Sequence, residues 1–331
     1  MDAQELLTRY QAGEWVFHGE LLAGVELAEA DLIGADLAGS DLREANLVLA
    51  YLNRADLSKA ILTRSHLCGA NLSQADLQNS NLRDADLHGA ILYGADLRGA
   101  DLALAFLLDA NLMEADLRGA NLSGANLRGV CLRGANLRYE KRCYASVNLR
   151  GADLRRADLR GANLTGADLT KADLSGANLN EACLREAILV GAKLTEARLK
   201  QAQLPDSDLT GADLSRANLV GIRLERAKLT EANLMGCNLN DANLTETILS
   251  KARMPGATLQ RVRLNRADLS RTDLRQADLT EAVLIKAYLG RVDLREANLT
   301  GANLAQAELS SANLLGAQLI GATLPDGSIH N

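Results

Sequence analysis

The sequence is nearly without large rings. Two Phe, one Trp and six Tyr are spread over 331 residues, and only three Pro occur. A conventional core of this size needs rings to fill its interior, so nine aromatics exclude one. Cysteine is as sparse, with five at irregular spacings, which excludes a disulfide framework. The longest wholly apolar run covers residues 102–108, far short of a bilayer span. The opening Met-Asp-Ala-Gln-Glu has neither the basic nor the apolar region of a secretory signal. The expectation is a soluble chain in a reducing compartment, the cytoplasm, with no membrane partner.

What is abundant is leucine and alanine. Hydrophobic residues make up 47% of the chain, so it is not disordered, and its core must reuse a few side chains many times. Leucine recurs every five residues, from Leu22 to Leu137 and again from Leu149 to Leu324, broken only by Met254, with Phe17 in phase ahead of the first series. Two residues before each leucine except Leu22, where Glu20 stands, is a small residue, usually Ala, and one residue before it Asp or Asn is commonest. A period of five fits neither a helix nor a plain strand. It fits a chain that turns a corner every five residues, with the small residue and the leucine inward and the other three positions outward. Glycine two residues after the leucine suits the corner. Successive coils then lie about 4.8 Å apart.

The repeat Ala-(Asp/Asn)-Leu-x-Gly, as in Ala35-Asp36-Leu37-Ala38-Gly39 and Ala162-Asn163-Leu164-Thr165-Gly166, resembles the pentapeptide-repeat family over nearly the whole chain. The resemblance implies an all-β fold, a right-handed quadrilateral β-helix with four pentapeptides per coil, and about fifteen coils. Residues 1–14 are expected to form an N-terminal cap, 15–326 a single β-helix, and 327–331 a tail. In the cap, Asp2 and Glu5 have capping-box spacing, Leu6, Leu7 and Tyr10 share one face, and Gly13 ends a helix over 2–12. Trp15 and Phe17 are expected to plug the first coil. Between Leu137 and Leu149 the step is twelve residues, so 138–147 is a loop, either a contact site or a tolerated insertion. The segments Glu5-Leu6-Leu7-x-x-Tyr10-x-x-Gly13 and Pro325-Asp326-Gly327-Ser328-Ile329-His330 are similar to those of cyanobacterial regulators in the family. That similarity implies a role in differentiation control exerted through protein contacts.

With four repeats per coil, residues twenty apart stack. Asp36, Asp56, Asp76, Asp96 and Asp116 form one acidic column. Val48, Leu49, Tyr51, Ile91, Tyr93, Phe106, Leu108 and Met113 fall on two adjacent outward faces, an apolar edge of the kind that marks a partner site. Scattered exposed hydrophobes are the plain alternative. Charge is segregated: residues 1–117 carry 7 basic and 19 acidic side chains, and residues 118–160 carry 10 basic and 3 acidic. The basic collar comprises Arg118, Arg128, Arg133, Arg138, Lys141, Arg142, Arg150, Arg155, Arg156 and Arg160. It is either a solvated face or a dock for an acidic partner. Only Tyr139 and Tyr144 lie among these cations, too few rings for a nucleic-acid platform.

Catalytic signatures are missing. A filled square coil has no pocket to perturb a pKa, no phosphate loop is present, and no serine lies in a nucleophile motif. Cys68, His88 and His66, with Asp86, are the one metal candidate by stacking, against which no metal and no cofactor is the expectation. The reading is a non-enzymatic interaction rod presenting an apolar edge and a basic loop to a protein partner. A monomer is expected, with an end-to-end or side-by-side dimer as the variant. The alternative is an acidic DNA mimic resembling the pentapeptide-repeat gyrase inhibitors, which the Asp column favours and the basic collar opposes.

Overall fold

Leucine at every fifth position turns inward. From Phe17 to Leu304 the repeat centres are at most 2% exposed, Met254 included, and the small residue two positions earlier is buried beside them. Each buried leucine is worth about 1.5–3 kcal/mol. The small column holds Ala because its side chain faces the coil interior close to the corner. Where Ser or Thr replaces it, the hydroxyl donates to a backbone carbonyl: Ser65 to Leu62 at 2.8 Å and Thr247 to Leu224 at 2.8 Å. These buried hydroxyls are therefore satisfied.

The structure is a computed structural model and describes residues 1–139 and 146–331. The chain divides into two units, Met1–Leu169 and Thr170–Asn331, each a right-handed β-helix with four-sided coils, as the repeat implies. Parallel bridges join residues twenty apart, for example Asp36 to Asp56 to Asp76. The centre N–H donates up the stack, Leu37 to the Asp56 carbonyl at 2.7 Å, and the preceding residue donates down it, Asp56 to the Ala35 carbonyl at 2.9 Å. At each corner the leucine carbonyl accepts from the N–H three residues on, as Leu27 does from Ala30 at 3.2 Å. The residue two after the leucine takes a positive φ, which marks a type II turn. Glycine supplies many corners, yet among the described residues 35 non-glycine positions hold φ between +54° and +62°. Such a residue costs about 1–2 kcal/mol relative to its relaxed backbone, and the closed ladder on either side imposes it.

Within the first unit the ladder step changes once. Asn121 pairs with Asn148, Asn126 with Asp153, Cys131 with Asp158 and Asn136 with Asn163, all 27 apart, before Asn148 pairs with Asp168 at the usual twenty. Arg138, Tyr139 and Val147, placed in the 138–147 loop by sequence, keep coil positions: the Tyr139 N–H donates to the Thr165 carbonyl at 2.7 Å, and Val147 is fully buried. Residues 140–145 of that loop, with Lys141, Arg142 and Tyr144, lie outside the described residues.

A helix, α1 (Ala3–Gln11), covers the first coil. The Asp2 carboxylate accepts from the Glu5 N–H at 2.8 Å. At the other end Gly13 (φ +92°) donates to the Tyr10 carbonyl and Glu14 to the Arg9 carbonyl, a Schellman closure. Leu6 is fully buried, and the Tyr10 hydroxyl donates to the Ile33 carbonyl at 2.8 Å. Phe17 plugs the coil as expected, 1% exposed, with the Arg9 guanidinium 5.5 Å from its ring centre. Trp15 corrects its expectation. It is 53% exposed and its ring lies 5.3 Å from that of Tyr10, beside Gly34. The reason is steric: Trp15 occupies the small column, which admits alanine, and an indole there has to lie outside.

Candidate functional site

Two adjacent faces of the first unit carry the predicted apolar residues. Face A is the column of Leu47, Leu67, Leu87, Leu107, Leu127 and Leu154; face B is the column of Leu52, Leu72, Leu92, Leu112, Leu132 and Leu159. On face A the residue after each leucine runs Val48, Cys68, His88, Leu108, Arg128, Arg155. On face B it runs Asn53, Ser73, Tyr93, Met113, Arg133, Arg160. The bridges Phe106 to Asn126 to Asp153 and Asn111 to Cys131 to Asp158 fix both registers. Leu49, Tyr51, Ile91 and Phe106 are exposed, at 40–52%, while Val48, Tyr93, Leu108 and Met113 are half-buried against neighbouring coils. The Tyr93 hydroxyl donates to Glu114 Oε2 at 2.8 Å, which pins the ring to the corner above. Polar residues interrupt the strip, so it is a line of apolar anchors rather than a continuous sheet of hydrocarbon.

Sequence reasoning missed one member. Leu104 is 46% exposed and stands at the corner leading into face A, two residues before Phe106. Among the described residues, Leu49 and Leu104 are the only apolar side chains at a non-glycine position with positive φ. Their side chains reach over Gly69 and Gly124 of the next coil, where an added Cβ would sit 2.7 and 2.9 Å away. The available signal was an apolar residue at a repeat position filled mostly by Gly or by a polar or charged side chain.

The strip runs into arginines on the same two faces. Asp153 is held below the ordinary carboxylate range, first by its hydrogen bonds from Arg155 and in addition by nearby Arg128. Asp158 is held down in the same way by Arg160 and Arg133. Arg155 and Arg160 are therefore half-neutralised. Arg128, Arg133, Arg138 and Arg156 make no side-chain hydrogen bond or ion pair among the described residues. Arg118 and Arg150, also in the predicted collar, face elsewhere and bind Asp116 and Asp168 at 2.7 and 3.0 Å.

The metal candidate does not assemble. His66 and His88 are exposed. Burial pushes the Cys68 thiol up to about 11, helped by its hydrogen bond to Asp86, so it is a protonated donor rather than a thiolate ligand. Among the described residues no three His, Cys, Asp or Glu side chains are placed to hold a metal ion. Among them, too, no helix is long and apolar enough to cross a membrane.

Comparison with known proteins agrees with the repeat. A family model described as Pentapeptide repeats matches residues 21–138 and 145–324 in overlapping segments. The chain is 30% identical to HetL, a pentapeptide repeat protein involved in heterocyst differentiation regulation in the cyanobacterium Nostoc, over 100% of both chains, with a TM-score of 0.27. It is 33% identical to a pentapeptide repeat protein of the Arabidopsis thaliana thylakoid lumen, covering 30% of this chain and 68% of that one (TM-score 0.29). It is 17% identical to the plasmid-mediated fluoroquinolone resistance protein QnrB1, covering 70% and 92% (TM-score 0.23). No curated protein matches it significantly.

Proposed function

The chain belongs to the pentapeptide-repeat family, and on that premise we propose that it is a non-enzymatic interaction protein whose partner docks along faces A and B of the first unit. One observation carries the reading. The column ending in Leu108 continues into Arg128 and Arg155, and the column ending in Met113 continues into Arg133 and Arg160. A partner lying along them meets apolar anchors and then guanidinium groups without leaving two faces. The chemistry that fits is a protein with an apolar ridge followed by an acidic segment. Buried aromatic anchors supply most interface energy, so Tyr51, Tyr93 and Phe106 set affinity, and the arginines set approach and salt dependence. A cytoplasmic setting and a regulatory role of the kind HetL has in differentiation are the finer form of this reading. The first draws support from the free thiols of Cys68, Cys131 and Cys237, the second from the end motifs.

The test is capture of the partner with the full chain, followed by binding measurements on two variants. Tyr93→Ser with Phe106→Ser is expected to weaken binding at least tenfold. Arg128→Glu with Arg133→Glu is expected to slow association and flatten its salt dependence. A captured protein indifferent to both variants overturns the docking surface.

The DNA-mimic alternative draws on the acidic column, which the ladder does form. Its last two carboxylates are occupied, Asp96 by Arg98 and Asp116 by Arg118 at 2.7 Å, leaving Asp36, Asp56 and Asp76 without a bound guanidinium. Inhibition of gyrase supercoiling by the intact chain, abolished by Asp56→Asn with Asp76→Asn, would favour it over the docking reading.

A further inference from the structure

Most corner arginines of the second unit bind a carboxylate one coil away, as Arg226 binds Asp206 and Arg261 binds Asp241. One corner column departs from this. It reads Glu231, Lys251, Arg271, Arg291, stacked at roughly 4.8 Å per coil. The Lys251 N–H donates to the Ser270 carbonyl and the Arg271 N–H to the Gly290 carbonyl, both at 2.9 Å, which fixes the register. Glu231 takes up Lys251 at 2.9 Å. Arg271 and Arg291 make no side-chain hydrogen bond or ion pair among the described residues, and each has a like charge in the adjoining coil. On the neighbouring strands Asp268 and Glu308 are engaged with their own backbone, accepting from the Ser270 N–H at 2.9 Å and the Ser310 N–H at 3.0 Å. Between these two carboxylates in the stack stands Tyr288.

A hollow of about 550 Å³ lies at these cations. Its walls include Arg271, Arg291, the half-exposed Tyr288 and the serines Ser250, Ser270 and Ser310, and among the described residues no Asp or Glu lines it. Gly290 keeps it open. It is the only glycine that directly follows a repeat centre, and among the described residues the only glycine without a positive φ. The backbone therefore does not require glycine there. What the missing side chain supplies is room, because an added Cβ would come within 3.2 Å of two carbons of the Tyr288 ring. We propose that this hollow binds a small phosphomonoester, its phosphoryl group held by Arg271 and Arg291 and its organic part set against Tyr288.

Three arguments select that ligand. A phosphomonoester carries nearly two negative charges at neutral pH, which two unpaired guanidinium groups match, and the arginine fork binds phosphate oxygens in pairs. The two forks and the serine hydroxyls offer more donors than a carboxylate accepts, whereas a phosphoryl group presents three terminal oxygens. The size is that of a small-molecule site: from Lys251 to Arg291 is two coil steps, roughly 10 Å, which suits one ester and not a polymer backbone. The hollow uses no residue of faces A and B, so the two proposals stand or fall separately.

The test is isothermal titration calorimetry of the full chain with inorganic phosphate, ribose 5-phosphate and adenosine monophosphate. At low ionic strength, where screening is weakest, the nucleotide should bind a single site with a dissociation constant of about 1 mM or below. Stacking on Tyr288 should make it at least about fivefold tighter than ribose 5-phosphate. Arg271→Gln with Arg291→Gln should weaken it at least about tenfold. The thermal midpoint should not move, because glutamine already holds such corners at Gln276 and Gln306. Gly290→Val should weaken binding as much while both guanidinium groups remain. The fold accepts that change, since Val190 and Val220 follow centres elsewhere in the unit. Arg261→Gln, at a paired corner, should leave binding intact. No saturable binding overturns the proposal, as does binding indifferent to the arginine pair or lost equally on Arg261→Gln. Binding that survives Gly290→Val also overturns it, leaving only general charge attraction. A nucleotide no tighter than inorganic phosphate assigns the hollow to the free ion and overturns the ester.

Discussion

The two units share a backbone and differ in how they spend their charge. The second unit carries 19 basic and 19 acidic side chains, and at its corners opposite signs meet one coil apart. Arg226 binds Asp206 at 2.7 Å, Arg261 binds Asp241 at 2.8 Å, Lys251 binds Glu231 at 2.9 Å, and Arg266 and Arg216 find Glu246 and Glu196. In the first unit Arg64 and Glu44 make such a corner pair, but most of its ion-paired arginines bind an Asp two residues back in their own strand, as in Arg43–Asp41, Arg98–Asp96 and Arg155–Asp153. Self-pairing within a strand consumes no neighbour. It leaves many corners to Gly and two to Leu, and it leaves arginines without partners where acidic residues run out. The lesson is that one scaffold can finish its surface internally or leave it open to another molecule, and the choice is read from the sign of residues twenty apart.

The largest effects should not distinguish the units at all. Leu92 and Leu234 are both fully buried, and an aspartate at either leaves an uncompensated buried charge, costing several kcal/mol. Leu92→Asp and Leu234→Asp should each abolish the cooperative denaturant transition of the unit that bears it. If either is tolerated with little loss, the ladder is not what holds that coil.

Next in size is the surface contrast itself. Tyr93→Ser with Phe106→Ser in the first unit should remove roughly 2 kcal/mol or more of partner binding and barely move the thermal midpoint. Ile248→Ser with Tyr288→Ser, a comparably exposed pair in the second unit, should change neither. Equal losses from both pairs would erase the contrast.

A smaller effect should run in the opposite direction. Leu49→Asn with Leu104→Asn relieves two leucines of positive φ with a residue that tolerates it, so stability should rise by roughly 1 kcal/mol in a denaturant titration while partner affinity falls. A fall in both would show that these leucines are structural.

The smallest effect belongs to the corner pairs. Arg261→Glu should lower the thermal midpoint of the second unit slightly, and the difference should vanish at about 1 M salt, because exposed ion pairs contribute little and are screened. The Asp241 carboxyl is held low by its hydrogen bonds from Arg261. Its contribution is therefore present above the unfolded carboxylate range, about pH 3.9, and is lost as pH falls through the lowered native value. The parent and the variant should converge in acid.

How much of this was legible follows from what each residue type constrains. A leucine in five can be satisfied only by burial at one corner-bounded position, so the inward ladders, the four-sided stack and the cap around Asp2, Leu6 and Gly13 could be read directly. Trp15 could not, because the repeat assigns a position but not whether a side chain fits it. The apolar strip was legible as a set of columns, but Leu104 was not, since its corner has no apolar precedent except Leu49. The arginine partners were written in plain view as Asp-Leu-Arg, in Asp96-Leu97-Arg98 and Asp158-Leu159-Arg160, against Asn126-Leu127-Arg128 and Cys131-Leu132-Arg133, yet only the geometry shows that the Asp two residues back takes up the guanidinium.

The single step of 27 in the ladder turns the chain into a clock that has been reset once. Before it, a residue's number divided by twenty leaves a remainder that names its face, so Asp36 and Asp116 tell the same hour. After it, the same face is found seven places on, and it is Asn148 that answers Asn121. Faces A and B straddle the reset: Leu108 and Arg128 keep one time, Arg155 the other. Two relatives aligned letter by letter across this point would superpose different walls unless both clocks were set back, and a surface grafted from one to the other would arrive rotated by more than a quarter turn.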